Sequence, residues 1–108
     1  MNAITTAGDT VFVTVELFGM ARVHANVSSL SIEVGTQTPI AALLGEVARE
    51  CPALVGKALC VSDDGTIAVA DGYGLNRNGL VFLSPDTDEQ VEWVAGDSLL
   101  LLSNQAGG

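Results

Sequence analysis

Apolar and polar positions alternate along Thr10–Phe18 (TVFVTVELF). Val11, Val13, Val15 and Leu17 fall on one side, and Phe12, Thr14, Glu16 and Phe18 on the other. A period of two predicts a strand with one buried face. Asn26–Val34 (NVSSLSIEV) alternates again, with Leu30, Ile32 and Val34 together. Gly19–Ala25, read as a turn carrying Arg22 and His24, separates the two runs, which together predict an antiparallel hairpin. After Gly35–Pro39 the period lengthens. Ile40, Leu43, Leu44, Val47 and Cys51 recur at helical spacing, with Glu46, Arg49 and Glu50 on the other side. Thr38 is the expected N-cap and Pro39 the expected first helical residue. Pro52 ends the helix near residue 50. A helix with one apolar stripe needs a sheet to cover.

The second half of the chain is built from shorter pieces. Ala53–Leu59 allows a further turn of helix. Asp63-Asp64-Gly65 marks a turn, and Thr66–Ala70 suits a short strand. Tyr73–Asn76 and Leu80–Leu83 flank Arg77-Asn78-Gly79, whose Asn-Gly step is a strong hairpin signal. Asp86–Glu89 reads as a polar loop, Val91 and Trp93-Val94 as a brief strand, and Ala95-Gly96-Asp97 as a tight turn. Ser98–Leu102 (SLLLL) is apolar on both faces, which predicts the centre of a sheet, with the first strand as its neighbour. Leu99 and Leu101 are assigned inward, leaving Leu100 and Leu102 outward, as Phe18 is in the first strand. The expected organisation is a loose arm over residues 1–9, a domain over 10–102 and an extended tail over 103–108, about 20 Å long when straight. This order of elements predicts an α+β fold, a mixed sheet packed on one main helix in the β-grasp arrangement of ubiquitin.

Composition narrows the function. The length of 108 residues fits one domain, and 48% hydrophobic against 16% charged residues makes it globular. No run approaches the roughly 18 apolar residues of a membrane helix. Met1–Thr10 has no basic start and no apolar signal core, so a cytoplasmic location is expected. A net charge of −9, from 13 acids against four basic residues, argues against nucleic acid, which needs clustered cations. It fits a basic partner surface, although solubility alone accounts for it equally well. Cys51, Cys60 and His24 are the only cysteines and histidine, too few for a closed zinc or iron–sulfur site. Both cysteines are expected as buried free thiols. Asp63 and Asp64 lack the spacing of a calcium loop. There is no Gly-x-Ser-x-Gly nucleophile motif, and His24 is expected as a surface residue, so no metal and no catalytic side chain are assigned.

The sequence finishes on Ala106-Gly107-Gly108. Without Cβ atoms such a tail can enter a narrow slot and present a carboxylate; a frayed terminus is the other reading. With Val15-Glu16-Leu17-Phe18-Gly19 and Arg22, Leu75-Asn76-Arg77-Asn78-Gly79, and Gly96-Asp97-Ser98-Leu99-Leu100-Leu101-Leu102 running on through Ser103-Asn104-Gln105-Ala106 to the two glycines, the chain resembles the sulfur carriers of the MoaD/ThiS type. That family includes the small subunit of molybdopterin synthase. The resemblance spans Val11–Gly108. A segment around Gly56–Gly72 exceeds the shortest members and points away from the thiamine branch.

The resemblance implies a carrier without catalysis of its own. An ATP-dependent adenylyltransferase of the ubiquitin-activating kind would adenylate the carboxylate of Gly108, with Gly107 and Ala106 threading the slot. A sulfur donor would then form a thiocarboxylate, for molybdopterin as first choice, with a large synthase subunit as second partner. No cofactor would be bound by the chain, since ATP belongs to the activating enzyme. Phe18, Leu80 and Leu102 match positions that contact the activating enzyme, and outward Leu100 joins them. Two other readings stay open: a ubiquitin-like modifier joined to lysines through the same glycine, and a β-grasp binding module with no tail chemistry.

Overall fold

In a computed structural model, residues 10–83 and 91–103 are described. The arm over 1–9, the loop at Asp86–Glu89 and most of the tail lie outside the described residues. The first hairpin is β1 (Thr10–Leu17) and β2 (Ser29–Gly35), antiparallel in the register Val13↔Ile32 and Val15↔Leu30. Between them Met20–Ala25 forms a short helix, α1, where the sequence suggested only a turn. Six residues are too few to show a helical period, but Ala21 is fully buried and docks α1 on the core. Asn26 closes it in the left-handed conformation that asparagine tolerates, its N–H bonded to the Arg22 carbonyl at 2.9 Å. β2 therefore starts at Ser29 rather than at Asn26.

The main helix, α2, spans Ile40–Glu50, and the whole predicted stripe of Ile40, Leu43, Leu44, Val47 and Cys51 is buried. Its N-terminus differs from expectation. Pro39, not Thr38, is the capping residue, and no side chain caps the helix. Thr38 has another task, since its carbonyl accepts the indole N–H of Trp93 at 2.8 Å. Pro52 opens a 3-10 turn over Pro52–Leu54.

Beyond it come β3 (Leu59–Val61), β4 (Ile67–Val69), β5 (Tyr73–Arg77), β6 (Val81–Leu83) and β7 (Ser98–Ser103). The main sheet has the order β2-β1-β7-β5-β6, and β3-β4 form a separate two-stranded sheet. β7 is central, parallel to β1 and antiparallel to β5, as its two apolar faces predicted. Val13, Val15, Leu17, Leu99 and Leu101 point into the core and are at most 1% exposed. α2 packs against β2 and β4, so the segment around Gly56–Gly72 extends the covering layer. The brief strand expected at Val91–Val94 is absent; that stretch is irregular. Trp93 is instead fully buried, pinned by its backbone N–H to the Thr36 carbonyl at 2.7 Å. Both thiols are free, but only Cys51 is buried; Cys60 is half-buried beside the Val69 carbonyl. Among the described residues no helix is long and apolar enough to cross a membrane, and no cluster of side chains could hold a metal ion.

Candidate functional site

The candidate site is built around the two ends of β7, because that strand delivers the tail. Its start is locked by Asp97. Gly96 turns the chain with φ 91°, a conformation that favours glycine. The Asp97 carboxylate, 5% exposed, accepts the Val94 N–H at 2.9 Å, the Asn78 amide at 3.1 Å and the Arg77 guanidinium at 2.6 Å. The Asn78 side chain also accepts the Ser98 N–H at 2.8 Å, and its own N–H bonds the Ser98 carbonyl. Arg77 lies 5.0 Å from the Trp93 ring centroid. Asn78 and Gly79 both have positive φ, as the Asn-Gly signal requires of a tight hairpin turn. The Gly-Asp step and the Asn-Gly step are thus two halves of one latch.

Burial alone would raise the Asp97 pKa, but the hydrogen bonds from Val94, Asn78 and Arg77 and the charge of Arg77 outweigh it, and the net shift is downward. A folded-state pKa below the unfolded value gives stability that is full above the ordinary aspartate value of about 3.9. That stability is lost as pH falls through the folded value. Asp97→Ala should therefore cost about 1.5–3 kcal/mol at neutral pH, the worth of hydrogen bonds to a charged group. Its urea midpoint should also fall less steeply than the parent's below pH 4. Parallel acid limbs in the two proteins would show that Asp97 does not supply this pH dependence.

At the other end, β1 and β7 run side by side through Leu17↔Leu101, and the Phe18 N–H bonds the Leu101 carbonyl at 3.0 Å. β1 ends at that pair, and alternation turns Phe18 and Leu102, the residues that follow it, toward the face away from α2. Phe18 is 41% exposed, while Leu100 and Leu102 are half-buried. Leu80 is 82% exposed, but it sits in the β5–β6 turn beside Arg77, at the start of β7. Alternation therefore places Phe18, Leu100 and Leu102 on the face away from α2, with Leu80 near its far end, about 13 Å along the strand from Leu102. Asn76 pairs with Leu100 on the same face; its Oδ1 is buried without a hydrogen-bond partner. Ser103, expected as the first residue of the tail, belongs to β7. Ala106, Gly107 and Gly108 lie outside the described residues.

Two features had not been assigned from the sequence. Gly19 has φ 62° and ψ −134°, and a Cβ there would meet the Ser103 Cβ at 3.2 Å. A shallow groove lined by Gly19, Arg22, Val23, Asn26, Val27 and Ser28 opens beside it. The signal for Gly19 was present in its place at the end of an alternating run, but its contact with Ser103 is visible only in three dimensions. His24 is half-buried on α1 and, among the described residues, joins no cluster of metal-ligating side chains.

No family model matches the sequence, and no curated protein matches it either. Solved structures do. SAMP1 from Haloferax volcanii superposes with a TM-score of 0.70 at 23% identity, covering 90% of this chain and 99% of that one. The small archaeal modifier protein 1 of Methanosarcina acetivorans gives 0.62 at 20% identity, over 94% of this chain and 100% of the other. A protein from Pyrococcus furiosus assigned as molybdopterin converting factor subunit 1 gives 0.59 at 20% identity, over 88% and 99%. At such identities the likeness is one of fold. The chain has the ubiquitin-like β-grasp fold of these small modifier and MoaD-like proteins, the fold expected from its order of strands and helix.

Proposed function

We propose that the chain is a sulfur carrier that works through Gly108. The observation that carries this reading is the placement of β7. The central strand of the sheet ends at Ser103, beside exposed Phe18, and leads directly into a tail that finishes on two glycines. A carboxylate is a poor electrophile. An adenylyltransferase would join it to the α-phosphate of ATP, releasing pyrophosphate. A sulfur donor would then attack the acyl carbon, forming C–S and breaking C–O as AMP leaves. The chain itself supplies position and access: a rigid strand to aim the tail, and Phe18, Leu100 and Leu102, with Leu80 at the rim, to dock the activating enzyme. The recipient of the sulfur is proposed to be a molybdopterin precursor held by a large synthase subunit, in the cytoplasm.

Incubation with the cognate activating enzyme, ATP and a sulfur donor should replace one oxygen of the Gly108 carboxylate by sulfur. Intact-mass measurement reads that exchange, and absence of both adenylate and thiocarboxylate would overturn the proposal. The two neighbours named as modifier proteins favour a second reading, conjugation to lysine amines. Gly-Gly isopeptide adducts on other proteins, with no thiocarboxylate, would establish it. Lys57, the sole lysine, is the one side chain on which the protein could then build chains.

The acidity makes a separate prediction. With a net charge of −9, association with a basic partner surface should be electrostatically steered. Raising the salt from 0.05 to about 0.5 M should slow stopped-flow association more than dissociation, since it shortens the Debye length. An association rate indifferent to salt would leave the acidity as a solubility feature.

A further inference from the structure

We infer that Gly19 is a positioning residue for the tail: its missing side chain sets the line along which the chain leaves the sheet after Ser103. The inference rests on the carrier reading for its functional consequence, but its structural part stands alone. β1 and β7 run parallel and in register as far as Leu17 and Leu101. There they part. β1 swings into α1, while β7 continues through Leu102 and Ser103, held on its other side by Gly74 and Tyr73 of β5. Gly19 is the corner of that divergence.

Two independent features make the corner a glycine. Its φ of 62° with ψ of −134° mirrors ordinary extended backbone, a region that L side chains rarely enter. A Cβ at this point would also stand 3.2 Å from the Ser103 Cβ and 4.0 Å from the Ser103 N, tighter than ordinary carbon contacts. The neighbour that would have to yield is the last residue of the strand, not the tip of a long side chain. By contrast, Gly45, Gly56, Gly65, Gly79 and Gly96 would each place a Cβ in open space. Gly19 differs from these in sitting against the base of the tail.

The consequence follows from reach. Asn104–Gly108 extend about 17 Å at most. A tail drawn straight into an active-site slot has no slack, so a shift of its base moves the terminal carboxylate by a similar amount. Misplacement of a reacting group by about 1 Å costs roughly 100-fold in rate. Gly19 should thus govern turnover while touching neither the docking face nor the reacting carbon.

The test compares Gly19→Ala with the same chain carrying D-alanine at position 19, made by ligation. D-alanine accepts this φ and ψ without strain and directs its methyl away from the L-Cβ position. Gly19→Asn is a second L-variant, with a polar side chain on the same Cβ against Ser103. Residual dipolar couplings of the Leu102 and Ser103 amides in the free protein report the direction of the strand end. They should change in the L-variants and match the parent in the D-alanine protein. With the activating enzyme, the L-variants should lose about three- to tenfold in kcat, as a shift of a few tenths of an ångström implies, with docking affinity unchanged from the parent. Unchanged couplings in folded Gly19→Asn would overturn the inference, as would a loss of activation confined to affinity. If the parent itself is never adenylated, the carrier reading fails, and the couplings still decide whether Gly19 aims the strand.

Discussion

Deletion of Gly108, or Gly107→Ala, is expected to abolish activation and leave the fold intact. The reason is the geometry of the reacting group. On the carrier reading, adenylation would need the acyl carbon at a fixed distance from the α-phosphate of ATP, and the tail would have to pass through a slot to bring it there. Deletion withdraws the carboxylate by one residue, about 3.3–3.6 Å, and leaves it on Gly107. A methyl on residue 107 widens the tail and removes the backbone freedom that glycine gives. Neither change touches the core, which closes with Leu99 and Leu101. Stability should therefore move by less than about 0.5 kcal/mol, as for surface sites. Pyrophosphate release with the cognate activating enzyme, measured beside a urea melt, checks both halves. Normal turnover by the deletion variant would end the carrier reading and favour a binding module whose tail is incidental.

The fold was legible wherever a period could be counted. Val11–Leu17 and Leu30–Val34 alternate, Ile40–Cys51 repeats at helical spacing, and each pattern appears in the structure as a buried face. β7 was legible for a different reason: four consecutive leucines cannot all face one core, so both faces of the strand had to be covered or used. What escaped was short or non-local. α1 is below the length at which a helical period shows. Trp93 looked like part of a strand because its neighbours Val91 and Val94 are apolar; its actual role, holding the Thr36 and Thr38 carbonyls, links residues far apart in the chain. Thr38 was assigned as a cap from its residue type, but the helix begins one residue later with Pro39 in the capping position, and the Thr38 carbonyl accepts the indole N–H. The site was half legible. The Gly-Asp and Asn-Gly steps were visible as turns, but their union through Asp97 and Asn78 depends on β5 lying next to β7. Phe18, Leu100 and Leu102 were placed by alternation, whereas the distance of Leu80 from Phe18 depends on strand direction. β5 runs antiparallel to β7, which carries its hairpin tip to the start of the last strand and away from its end.

Adjacent leucines of β7 should respond in opposite ways to truncation. Leu101 is fully buried in the core with Leu17, Leu75 and Leu99. Leu101→Ala should lose about 2–5 kcal/mol, the transfer free energy of the deleted groups plus the cavity they leave. Leu102 faces the other way and is half-buried, on the side that α2 does not cover. Leu102→Ala and Phe18→Ala should each cost less in folding than Leu101→Ala. Each should weaken binding of the activating enzyme by about 1–3 kcal/mol, roughly five- to 150-fold, as anchors buried at an interface do. The Phe18 N–H is bonded to the carbonyl of Leu101, next to Leu102, so the two losses should not add, and a Phe18→Ala/Leu102→Ala cycle should show coupling of about 0.5 kcal/mol or more. Leu80→Ala, at the far end of the face, should add independently to either. Urea midpoints together with titration affinities separate the two roles. Leu102→Ala proteins that unfold early but bind at full strength when folded would assign this face to internal packing, and the docking surface would have to be sought elsewhere on the domain.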